Sequence, residues 1–239
     1  MKEFEGNLKS INPSKIIQKD KDSDFDNFFL VLGLIFNDLK DLLFFVEYIV
    51  KEYRKPNSDN SEPPNDHLGS WAGLNNHLNR LIISLTSELF IFLEKNKKVT
   101  SSISFILFEK KLPSDIRNDW HDVLDVLYDE NKNDFLSHIS RIRSNVTFHY
   151  DQSLKEIRSG FINTFFDSPK NNYNQKAYYS LGDNVSTTRF YYCDGAVSSY
   201  TDKLLKIKSE NYLNDIVKIV GKINNTIRFM MESYLEDKK

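Results

Sequence analysis

Residues 28–50, FFLVLGLIFNDLKDLLFFVEYIV, decide how this chain folds. Phe28, Leu32, Ile35, Leu39, Leu42, Val46, Ile49 and Tyr53 alternate steps of four and three without a miss, the pattern of a helix packed lengthwise against partners. Phe29, Val31, Leu34, Phe36, Leu43, Phe44, Phe45 and Tyr48 widen the apolar surface beyond one seam. A helix over about 25–54 is therefore buried on several sides or turns one side to another subunit. It is not expected to span a membrane. Asn37, Asp38, Lys40 and Asp41 sit at its centre, and each charge there would cost roughly 2.5–3.5 kcal/mol in a bilayer.

Working outward, Lys55-Pro56 ends this helix and 57–64 reads as an exposed loop. A second helix over about 66–97, with Trp71, Leu74, Leu78, Leu81, Leu85, Leu89 and Phe92 on one stripe, matches the first in length and predicts an antiparallel pair. Two shorter pieces between 101 and 131 split at Leu112-Pro113-Ser114-Asp115; Trp120 is expected in the core or at an interface and His121 at the surface. Helices over about 133–143, with Phe135, Ile139 and Ile142 inward, and about 151–166, with Leu154, Ile157, Phe161, Ile162 and Phe165, follow; Gly160 is a close-packing position.

Farther on, two β-prone runs flank Gly182-Asp183-Asn184 and predict a hairpin over 177–193. Its Tyr178, Tyr179, Tyr191 and Tyr192 suit cross-strand packing or base stacking, with Arg189 able to meet a phosphate. A last helix, about 209–235, restores the seam through Tyr212, Ile216, Ile219, Ile223, Ile227, Met230 and Tyr234 and is expected to dock on the first two. The expected architecture is an all-α helical bundle: a polar tail over 1–24, then a single domain over 25–239 with a small β-hairpin insertion.

Composition narrows the function. A formal charge of −2 excludes a general nucleic-acid coat, which needs a broad basic field, and leaves room for a local cationic groove. The single Cys193 excludes an internal disulfide and a cysteine zinc cluster and fits a reducing compartment. Residues 1–24 carry no apolar signal core, so a cytoplasmic protein is expected. His67 and His77 stand ten positions apart, unlike helical metal ligands at three or four.

Chemistry concentrates in residues 143–151, RSNVTFHYD, at the junction of two helices. Arg143 and His149 are six positions apart, about 120° on an uninterrupted helix. They converge only if the helix breaks between them or a second copy contributes, and Ser144-Asn145 followed by Val146-Thr147 makes a break just after Arg143 locally reasonable. His138 and Arg141, spaced i, i+3, can extend a cationic edge toward Arg143. RNA carries its own nucleophile, the 2′-hydroxyl. Cleavage needs a base for that proton, an acid for the departing 5′-oxygen, and cationic stabilisation of the phosphate. Histidine suits the proton transfers and arginine the phosphate oxygens, with no metal or cofactor required. The competing reading is a structural junction, in which Arg143 binds helix-end carbonyls or Asp151 and His149 is a hydrogen-bonded residue at the edge of the core.

Arg143, a small polar residue after it, and a histidine six positions on, between helices, resemble the signature of the HEPN superfamily. The resemblance implies a helical bundle that dimerises to bring two motifs to one cleft, acting as a metal-independent endoribonuclease in toxin, antiphage or RNA-processing systems and leaving 2′,3′-cyclic phosphate ends. Carried over, Arg143 and His149 are the catalytic pair, with Ser144, Asn145 and Tyr150 in support. Asn is commoner than Ser after the arginine. Tyr150 also departs from the toxin group whose modified tyrosine lies two positions after the histidine; here Asp151 holds that place. Expected partners are RNA, a second copy of the chain, and an antitoxin or defence-system protein. The alternatives are a non-catalytic member binding a nucleotide, RNA or protein, and a helical oligomeric scaffold.

Overall fold

The computed structural model describes residues 9–52, 66–128, 133–147, 155–167, 177–183, 185, 188–205 and 212–239. Among the described residues eight helices of seven residues or more carry the fold: α1 Asp24–Glu52, α2 Asp66–Lys95, α3 Ile103–Glu109, α4 Ser114–Tyr128, α5 Asn133–Ile142, α6 Glu156–Phe165, α7 Tyr191–Leu205 and α8 Tyr212–Asp237. Single helical turns, Pro13–Ile16 and Lys97–Thr100, lie before α1 and after α2, and a π-helical turn, Arg143–Thr147, continues α5. No helix among the described residues is long and apolar enough to cross a membrane.

The apolar seam of α1 is used as its spacing demands. Phe28, Leu32, Leu39 and Ile49 are buried, while Ile35, Leu42 and Val46 pack partly buried against the core. The widening residues divide: Phe29 is fully buried, whereas Leu34, Phe44, Phe45 and Tyr48 are exposed. α8 lies along α1 and reaches α2 and α4, and α2 also touches α5, the π turn and α7. On α2 the buried side turns away from part of the expected stripe, taking in Ile82, Ile83, Phe90 and Leu93 and leaving Leu74 exposed.

An aromatic cluster closes one end of the bundle. Phe25, Phe28 and Phe29 from α1 meet Phe105 and Phe108 from α3, and Trp120 from α4 lies behind Phe105. Phe29 stacks on Tyr234 of α8 at 4.3 Å between centroids. The Tyr234 hydroxyl donates to Asp26 Oδ1 at 2.9 Å, and Lys238 Nζ reaches the same oxygen at 2.6 Å. Burial, then the Asp26 carboxylate, holds the Tyr234 phenol well above its ordinary range. Ser102 caps α3 by accepting from the Phe105 N–H at 3.2 Å. Trp120 is buried and His121 is at the surface, paired with Glu109 at 2.5 Å.

The expected hairpin over 177–193 does not form strands among the described residues. It reduces to one antiparallel bridge, Ser180 with Arg189, held by hydrogen bonds of 2.8 and 3.0 Å. Its flanks have nothing to cover: Leu181 is 70% exposed and Val185 92%. A two-stranded ribbon without an apolar face to pack is marginal. Tyr191 and Tyr192, expected in its second strand, open α7 instead, where Asp194 in the first turn complements the helix dipole. α7 itself went unread, although Ala196, Tyr200 and Leu204, four residues apart, are its buried stripe. It packs on α6 so closely that a Cβ on Gly160 would stand 2.1 Å from the Ala196 carbonyl oxygen.

Candidate functional site

The expected break after Arg143 takes the form of a widened turn rather than a helix end. α5 passes directly into the π turn Arg143–Thr147, a form that recurs at functional sites. Val146 is buried beneath it and anchors it to the core, and the Thr147 hydroxyl reaches back to the Ile142 carbonyl at 3.4 Å.

α2 fixes the turn from the other side. Arg143 Nε donates to Glu88 Oε1, with the two side chains 27% and 38% exposed. Among the described residues the Arg143 Nη groups donate to nothing. Arg80, two turns earlier on α2, donates from Nη1 to the Val146 carbonyl at 2.5 Å and from Nε to its own helix at Asn76 O, 3.3 Å. The Val146 carbonyl thus accepts from a charged donor.

Asn145 leaves the turn toward α7, where its Nδ2 donates to the Tyr200 hydroxyl at 2.9 Å. Burial raises the Tyr200 phenol above its ordinary range, against the opposing effect of the Asn145 bond. Ser144 is half-buried on the same turn. Beside it Arg141 donates to Glu156 at 3.1 Å, and Arg141, Glu156, Ser159, Tyr200, Lys203 and Leu204 line a cleft of about 270 Å³ between α5, α6 and α7. Arg143, Ser144 and Asn145 therefore lie on one turn; His149 and Tyr150 lie outside the described residues, as does the His138 side chain.

A second group gathers where the start of α7 crosses α2. Gly69 and Gly73 form its floor: a Cβ on Gly69 would be 2.5 Å from the Tyr191 ring and one on Gly73 1.9 Å from Arg189 Nη2. Arg189 Nε donates to Asp194 at 2.9 Å. His77 is one turn along from Gly73, and its Nδ1 is 3.4 Å from Arg80 Nη2. Burial, then the Arg80 and Arg189 charges, push the imidazole below its ordinary range, and Asp194 offsets part of that shift.

No set of three or more His, Cys, Asp or Glu side chains that could hold a metal occurs among the described residues. Comparison of the chain with protein families, curated proteins and solved structures found no match. Sequence reasoning missed Glu88, Arg80 and Tyr200. Each reaches the turn across 55 or 66 positions of chain, and no local spacing marks a contact of that separation.

Proposed function

We propose that this chain is a metal-independent endoribonuclease of HEPN type, in which Arg143 holds the phosphate to be cleaved and His149 transfers protons. The observation that carries the reading is the setting of Arg143: on a π turn, with Nε committed to Glu88 and its Nη groups without a partner among the described residues. A guanidinium fork suits two phosphate oxygens. A half-exposed ion pair contributes roughly 0–1 kcal/mol, so Glu88 aims the guanidinium without preventing its use. Ser144, Asn145 and Tyr150 are the supporting residues of the proposal. A second copy would bring a second histidine to the cleft, giving one base and one acid.

The reaction follows from the substrate. The base takes the 2′-hydroxyl proton, the 2′-oxygen attacks phosphorus, and the 5′-oxygen leaves with a proton from the acid. The products are a 2′,3′-cyclic phosphate and a 5′-hydroxyl. A toxin or antiphage effector acting in the cytoplasm is the setting such an activity fits, with an antitoxin or defence-system protein as its restraint.

A second reading, a non-catalytic bundle that docks a protein or assembles as a scaffold, draws on a different observation. Leu30, Leu34, Phe44, Phe45 and Tyr48 leave one side of α1 apolar and exposed. Cleavage of mixed single-stranded and structured RNA in EDTA separates the two. The ribonuclease reading expects activity that Arg143→Ala and His149→Ala each reduce by about 100-fold or more at unchanged circular dichroism, with cyclic-phosphate ends in the wild-type product. A wild type inactive on every RNA, alone and with candidate partner proteins, shifts the weight to the docking reading.

A further inference from the structure

We infer that the Arg189 guanidinium lying over Gly73 and the His77 ring beside it form a phosphate-binding ridge on the first half of α2 that seats the backbone of an RNA strand leading to Arg143. The inference deepens the ribonuclease reading and rests on it for the identity of the strand. Positions 73, 77, 80, 84 and 88 follow helical steps of four and three and share one side of α2. The distance from 73 to 88 along the axis is about 22 Å at 1.5 Å per residue. Arg189 lies on the first position, His77 and Arg80 occupy the next two, and Arg143 is held at the last by Glu88. Ser84, the remaining position, is buried, and α2 meets the π turn along this part of its length.

The donors at the far end of the row are set out for an anion. Arg189 uses Nε on Asp194, which fixes the plane of the guanidinium, and its Nη groups donate to nothing among the described residues. Gly73 is what lets that plane lie directly on the helix, since a Cβ there would collide with it. Arg80 spends Nη2 on His77 Nδ1. With Nδ1 accepting, the imidazole proton sits on Nε2, a donor that meets no acceptor among the described residues. The Arg189 guanidinium, its side chain 30% exposed, and the exposed His77 ring thus stand about a single helical turn apart. Phosphate oxygens are the acceptors that such a set of forks and rings recognises. The Ser180–Arg189 bridge holds the Arg189 backbone in place.

The test is binding of a fluorescein-labelled 12-nucleotide 2′-O-methyl oligouridine, which lacks the attacking hydroxyl and cannot be cleaved. Anisotropy is read for the wild type, Arg189→Gln, Gly73→Ala and, as a cation away from the row, Lys110→Gln. Arg189→Gln and Gly73→Ala are each expected to weaken binding about 5- to 10-fold. Arg189→Gln should also lower the salt slope of log K by about 0.7, the value for one phosphate contact on a single strand. Lys110→Gln should do neither. Inorganic phosphate and uridine monophosphate serve as further probes, with the His77 ring nitrogens followed by NMR; the bound oligonucleotide should shift them at lower concentration than either small anion. Unchanged affinity in folded Arg189→Gln, or binding confined to the small anions, overturns the ridge. Because the probe is uncleavable, loss of binding in the variants of a protein that cuts no RNA would leave the ridge standing and remove the ribonuclease reading alone.

Discussion

α1 and α2 are nearly equal in length, 29 and 30 residues, and bury different kinds of side chain. The side chains that α1 buries completely or nearly so are apolar: Phe28, Phe29, Leu32, Leu39 and Ile49. α2 buries Asn75, Asn79, Ser84, Thr86 and Ser87 along with Leu78, Ile82, Ile83, Leu89, Phe90 and Leu93. The difference follows from their neighbours. α1 has α8 and α2 on its buried side and leaves another side apolar and exposed, whereas α2 lies among α1, α5, the π turn, α7 and α8. A buried polar group needs a partner, and several on α2 find one in their own helix: Asn75 Nδ2 on the Trp71 carbonyl at 3.0 Å, the Thr86 hydroxyl on Ile82 at 2.8 Å. From the same helix Arg80 and Glu88 extend to the π turn. α1 holds the bundle together by packing, and α2 clamps the π turn.

That contrast breaks first at the aromatic end. Phe29→Ala removes a fully buried ring stacked on Tyr234, and urea unfolding should show a loss of about 3–5 kcal/mol. A loss below 1 kcal/mol would mean that α1 is not the packing element. Tyr234→Phe keeps the stacking and removes one hydrogen bond to a carboxylate, an expected loss of about 1.5–3 kcal/mol in the same measurement. On α2 the expected effect is smaller and depends on pH. The His77 imidazole titrates lower in the folded chain than unfolded, so the unfolded state takes up its proton first as pH falls. The stability it contributes is complete above the unfolded value near 6.5 and is lost as pH drops toward the lower folded value. His77→Gln should flatten that slope between about pH 7 and 5 in thermal melts, and an unchanged slope would place the charged neighbours elsewhere. Phe45→Ser, on the exposed side of α1, should change stability by no more than about 0.5 kcal/mol. If α1 meets a second copy through that side, the same substitution lowers the sedimentation mass.

Much of the helical frame was legible along the chain because an amphipathic helix announces its buried side in steps of three and four. The seam from Phe28 to Ile49 and the last helix with Ile223, Ile227, Met230 and Tyr234 inward are cases where period and burial agree. The expected hairpin shows only one bridge among the described residues for a physical reason: β-propensity expresses packing on a pleated surface, and its flanking Leu181 and Val185 are exposed. α7 was hidden because its buried stripe mixes Ala196, Tyr200 and Thr201 with Leu204, too polar a run to stand out against the tyrosines before it. Of the site, the sequence marked Arg143 and its polar neighbours, and pointed to Arg189 as a phosphate ligand. It could not mark Glu88, Arg80 or His77 as their companions.

The sequence by itself determined a mostly helical chain, the long apolar first helix, and a junction beginning at Arg143 where small polar residues interrupt the apolar pattern. Those are local properties, since side-chain periodicity and backbone preference act within a few residues of one another. Only the tertiary structure decided that the junction is a π turn clamped by Glu88 and Arg80, that Asn145 is held by Tyr200, and that Arg189 lies over Gly73 beside His77. Each of these joins side chains more than fifty positions apart in sequence. Their meeting depends on how closely α2 and α7 approach, and that distance is set by the glycines and small polar residues of the whole interface rather than by any one segment.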